Sequence, residues 1–141
     1  MKRHETLAPL SRDHHEALIL AQLLKKDAPA YKHLPTQLNE KAGYAVNFYS
    51  NHLQQHFLQE ETMLQQVKMY NKEIEKLTEE VINEHHYLTT IFLSLDKTDN
   101  LSVTLDVLGT ALENHIRKEE RILFPLIQQY CPEEILNTLV L

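Results

Sequence analysis

Apolar side chains recur along this chain at spacings of three and four, the period of a helix with one buried face. Leu7, Leu10, Ala17, Leu18, Ala21, Leu24 and Ala28 predict a helix from about Thr6 to Ala28, with His14 on the same stripe. Pro29 and Pro35 bracket a loop, and Thr36 is the candidate N-cap of a second helix. Its stripe runs through Leu38, Ala42, Ala45, Tyr49, His52, His56, Glu60, Met63 and Val67, so polar residues occupy positions that normally carry aliphatic ones. A third helix starts near Asn71, follows Ile74, Leu77, Val81, His85, Leu88, Phe92 and Leu95, and ends in the polar run 96–100. The fourth carries Leu101, Leu105, Leu108, Leu112, His115, Glu119, Ile122 and Leu126, with Pro132 at its limit. Residues 133–141 predict a short terminal turn of helix, since proline is accepted at a first helical position.

Long helices joined by short connections predict an all-α, up-down-up-down four-helix bundle, forming one domain over residues 1–141. The composition agrees, because two glycines and five prolines are too few for a turn-rich all-β chain. Both glycines, Gly43 and Gly109, fall inside predicted helices, where each costs about 1 kcal/mol relative to alanine. Close helix approach is the reason a bundle would carry them.

Charge narrows the partners. Twenty acidic against fourteen basic side chains, with no basic run, argue against nucleic acid, which requires a clustered cationic footprint. The opening residues lack the apolar stretch of a secretory signal, and no apolar run is long enough to span a bilayer, so a cytoplasmic protein without a membrane partner is expected. Cys131, the only cysteine, forms no internal disulfide and builds no cysteine zinc site. The unusual component is histidine, nine in all.

Those histidines follow an internal repeat. The second and fourth helices share His-x-x-x-Glu-Glu-x-x-Leu, beginning at His56 and His115, and the first and third share an acid followed by two histidines, Asp13-His14-His15 and Glu84-His85-His86. Residues four apart project from one helix face, so each His-x-x-x-Glu aims an imidazole and a carboxylate at one point in the core. A carboxylate in such a core costs several kcal/mol unless a cation or proton meets it. Level also matches, since His56 and His85 stand fourteen and fifteen residues either side of the turn near Tyr70. Neighbouring side chains diverge by about 100° and cannot both face inward. His14 and His85 continue the apolar stripes whereas His15 and His86 do not, and the same comparison selects Glu60 and Glu119 over Glu61 and Glu120.

Taken together, Arg12-Asp13-His14-His15, His52 to Glu61, Glu84-His85-His86 and His115 to Pro125 resemble the hemerythrin HHE cation-binding family over almost the whole chain. The resemblance implies a four-helix bundle holding an oxo- or hydroxo-bridged pair of non-haem iron ions, with two bridging glutamates and terminal histidines. Carried over by position, the metal ligands are His14, His56, Glu60, His85, His115 and Glu119. Zinc or manganese are possible substitutes for the same donors. Family members bind dioxygen or related small molecules, so the implied partner is a small diatomic ligand or peroxide. The sequence departs from the oxygen-carrying hemerythrins in the third helix, where Thr89 and Val81 stand one turn from His85 in place of a second histidine. His52, one turn before His56, either replaces that ligand or lines the binding pocket. Sensing, carriage or scavenging of oxygen, nitric oxide or peroxide is the leading expectation. The alternatives are a di-iron peroxidase or oxygen-activating enzyme, and a metal-free interaction module in which the His and Glu rows form a buried polar network.

Overall fold

In the computed structural model, which describes residues 2–141, every regular element is helical. The first rod is α1 (Ala8–Leu24). The second is compound: α2 (Leu38–Phe48), a π-helical turn (Tyr49–Leu53) and α3 (Gln54–Val67), followed by a 3₁₀ turn (Lys68–Tyr70). The third is α4 (Lys72–Ser94). The fourth is again compound, with α5 (Leu101–Lys118), a π-helical turn (Glu119–Leu123) and α6 (Phe124–Tyr130), and a short α7 (Glu133–Leu136) follows.

Side chains set several of these boundaries. The Asn71 side chain accepts from the amides of Glu73 and Ile74 at the start of α4, and Asn100 accepts from Val103 at the start of α5. The first helix ends at Leu24, earlier than its stripe predicts, because Lys25 turns to an extended conformation. The second begins at Leu38 after Gln37, without the Thr36 cap.

Rod direction can be read from the core. One apolar cluster takes the C-terminal ends of α1 and α4, Ala17 to Leu24 and Leu88 to Leu95, with the N-terminal halves of the second and fourth rods, Ala45 to Phe57 and Leu105 to Ile116. The other takes the opposite ends, among them Leu7, Leu10, Ile74, Met63, Leu123 and Ile127. Consecutive rods therefore alternate in direction, as the stripes predict, and each rod packs against the one before and the one after it in cyclic order, α2 and α5 also touching across the bundle. Between the two clusters lies a buried polar layer: His14, His56, Glu60, His85, His115 and Glu119.

The π-helical turns correct the predicted stripes. Each inserts one extra residue and advances the inward face by a position. In the second rod Leu53 is buried and His52 is exposed; in the fourth Leu123 and Ile127 are buried, while Ile122 is 48% exposed. The glycines also separate. A Cβ on Gly109 would stand 2.6 Å from the Ala21 carbonyl oxygen, so α5 approaches α1 closely there, whereas Gly43 faces open space. Among the described residues no helix is long and apolar enough to cross a membrane.

Candidate metal centre

All four rods contribute to the polar layer. α1 supplies His14, α3 supplies His56 and Glu60 one turn apart, α4 supplies His85, and the fourth rod supplies His115 and Glu119 where α5 passes into its π-helical turn. Their donor atoms form two groups that share Glu60. Glu60, His85, His115 and Glu119 offer one set, and His14, His56 and Glu60 the other, each with atoms within 4.8 Å of one another.

The inner contacts are unequal. Glu60 accepts from His14 Nε2 at 3.1 Å and from His85 Nε2 at 3.0 Å, using a different oxygen for each. Glu119 Oε1 stands 2.8 Å from His115 Nε2 and 3.4 Å from His14 Nε2. Neither contact has hydrogen-bond geometry, and both Glu119 oxygens, His115 Nε2 and His56 Nε2 are buried without a hydrogen-bond partner. Unpaired polar atoms in a dry core are costly. Inward ring nitrogens and a carboxylate without hydrogen-bond partners are satisfied together by cations, so the residues present fit metal ions. The nitrogen and carboxylate donors suit iron, zinc or manganese.

The outer ring nitrogens are all held. His14 Nδ1 pairs with Glu120 at 2.7 Å, His56 Nδ1 with Asp13 at 3.0 Å, His85 Nδ1 with Glu61 at 2.7 Å and His115 Nδ1 with Glu84 at 2.7 Å. Glu120 also accepts from Ser11 and from Arg3, and Lys118 bonds Glu84. These four acids were not singled out by the stripes, which set Glu61 and Glu120 aside as the outward members of glutamate pairs. The available signal was that each adjoins an inward His or Glu in the chain.

Electrostatics follow from this crowding. Burial works against charge on His56, yet the Glu60 charge and the Asp13 bond raise it to about 9. Burial likewise opposes charge on His115, and Glu119 and Glu84 overcome it, to about 10. His14, equally desolvated, is raised by Glu119, Glu120 and Glu60. Glu60 is held well below the usual carboxylate range despite complete burial, chiefly by the charge of His56. Without metal, the cage thus holds protons where cations would otherwise sit.

Aromatic rings close parts of the layer. Phe57 stacks on His85 with centroids 4.0 Å apart, and Phe124 lies parallel to His14 at 5.7 Å. A surface groove of about 490 Å³ reaches His56 and is lined also by Asp13, Phe48, His52 and Gln59. His52 packs against Phe48 in this groove and stands outside the buried layer, so the expectation that it shares the inward face of His56 does not hold. The π-helical turn over Tyr49–Leu53 is the cause. Tyr49 remains in the core and donates to Thr89, the residue standing one turn after His85. His15 and His86 are exposed.

Compared with known protein families, residues 4–127 match the Hemerythrin HHE cation binding domain, a span that contains all six residues of the layer and all four outer acids. No curated protein and no solved structure gave a match.

Proposed function

The chain belongs to the hemerythrin HHE cation-binding domain family, and from that membership and the cage geometry we propose that it holds two iron ions and binds oxygen, nitric oxide or peroxide. One ion is assigned to Glu60, His85, His115 and Glu119, the other to His14, His56 and Glu60, with Glu60 common to both. The observation that carries this reading is the set of buried, unpartnered atoms: His56 Nε2, His115 Nε2 and both oxygens of Glu119. A purely structural polar network would have paired them.

Bound there, iron would supply reversible electron donation to a small ligand. The protein's own groups prepare the site. Each outer carboxylate accepts Nδ1–H, so that loss of the inner proton would leave the Nε2 lone pair directed inward. The apolar clusters above and below the layer exclude bulk water. The group of three donors has fewer protein atoms to offer and adjoins the groove at His56, so exchangeable ligands are assigned to that side.

Metal analysis with visible spectroscopy of the oxidised protein, with and without azide, tests the proposal. Two irons per chain and charge-transfer bands that shift with azide are expected. Iron-free protein after aerobic reconstitution, or bands indifferent to azide, would remove it.

A further inference from the structure

The four outer acids form a closed cycle. Asp13 of the first rod bonds His56 of the second, Glu61 of the second bonds His85 of the third, Glu84 of the third bonds His115 of the fourth, and Glu120 of the fourth bonds His14 of the first. No acid serves a histidine of its own rod, and every bond points to the next rod in the same sense around the bundle.

Helix geometry explains the closure. A residue beside an inward position is rotated by about 100° and so faces one of the two adjacent rods. Which one depends on whether it precedes or follows the inward residue, and on the direction of the rod. In the first and third rods the acid precedes an inward histidine, Asp13-His14 and Glu84-His85; in the second and fourth it follows an inward glutamate, Glu60-Glu61 and Glu119-Glu120. Consecutive rods are antiparallel, so one step back on the first and one step forward on the next turn the same way in space. The change from acid-His to Glu-acid along the sequence is therefore what makes a single-handed cycle.

The geometry points to Asp13, Glu61, Glu84 and Glu120 as positioning residues whose effect on metal retention crosses from one rod to the next: Asp13 and Glu120 serve the His14–His56 side, and Glu61 and Glu84 serve the His85–His115 side. This inference rests on reading the cage as a two-metal centre. Glu120 separates it from a local effect. Its chain neighbour Glu119 belongs to the four-donor group, yet its carboxylate holds His14, which belongs to the three-donor group. Removing its charge should therefore weaken the more open ion and spare the other.

Cobalt(II) titration of the metal-free protein, followed by its visible spectrum, tests this. Wild type is expected to show a tighter event from four donors and a weaker one from three. Glu120→Gln should weaken the second event by about 10- to 100-fold and leave the first unchanged, and Glu84→Gln should do the reverse. The event that persists reports that the bundle is folded. Glu61→Gln keeps the test should Glu120→Gln lose helical circular dichroism: its chain neighbour Glu60 belongs to both groups whereas its carboxylate holds His85, so the first event alone should weaken. Wild-type affinities in the variants, or loss of the tighter event in Glu120→Gln, would overturn the crossing while leaving the metal centre intact. A wild type that takes up no cobalt overturns both readings, and does so before any substitution is made.

Discussion

The two sides of the cage are built from similar residues and enclosed differently. His85 is covered by the Phe57 ring, and its supporting acid Glu61 is mostly shielded. His56 adjoins the groove, and its supporting acid Asp13 is 51% exposed. The first side offers four donors and the second three. On the proposed reading, a near-repeat in sequence becomes one side suited to holding an ion and another suited to exchange. The difference lies in the donor count and in what adjoins each histidine rather than in the histidines themselves, all four of which are buried.

The largest effect is expected where the sides join. Glu60→Gln removes the acceptor shared by His14 and His85 and should abolish stoichiometric binding of both ions, read by metal analysis. In the metal-free protein it removes the negative charge that faces buried His14 and His56 and should destabilise by about 3 kcal/mol in chemical denaturation. Glu119→Gln should also impair metal binding but cost the metal-free fold less, because its carboxylate faces two imidazoles where that of Glu60 faces three. Equal losses of metal-free stability would contradict the unequal pairing of the two glutamates.

Proton competition comes next. In the metal-free protein the raised values for His56 and His115, about 9 and about 10, mean stability that is complete below the unfolded value near 6.5 and lost as pH rises through 9 to 10. Glu60, Glu84 and Glu120 are shifted down, so their contribution is present above the ordinary carboxylate range and fades in acid. Metal requires neutral imidazoles, and its stabilisation should instead grow with pH. Thermal midpoints of metal-free and loaded protein should draw apart from pH 6 to 9; parallel profiles would show that metal does not displace these protons.

A smaller effect tests the cover itself. Phe57→Leu should cost about 1–2 kcal/mol and expose the His85 side. Chelator extraction from wild type is expected to be biphasic, and this substitution should speed the slow phase alone. The smallest effect is expected for His52→Ala, which should stay within about 0.5 kcal/mol of wild type and retain both ions, as its side chain lies outside the cage. Loss of an ion on that replacement would return His52 to the centre.

The bundle was legible because its stripes follow helical periodicity through most of each rod. The cage was legible because four imidazoles and two carboxylates interrupt those stripes at matching levels. The π-helical turns were not. Leu123 beside Ile122 offers either phase an apolar residue, and Leu53 beside His52 allowed a polar stripe to continue on paper. The supporting acids were hidden for another reason: a reading along one helix finds its inward face, whereas Asp13, Glu61, Glu84 and Glu120 act on the flank shared with the next rod.

The π-helical turns lie on opposite sides of the polar layer, one before His56 and one beginning at Glu119. Each divides its rod into two stretches whose rotational phases are set separately, like two shafts joined by a coupling. Removing one residue within Tyr49–Leu53 would take out the extra residue and restore α-helical spacing, keeping α2 and α3 in phase and the His56–Glu60 spacing intact. The same deletion after Glu119 would keep α6 in phase with α5 and leave the His115–Glu119 spacing intact. Loss of a single residue is therefore expected to be absorbed within each coupling, so these two rods can change length by one residue around a fixed centre.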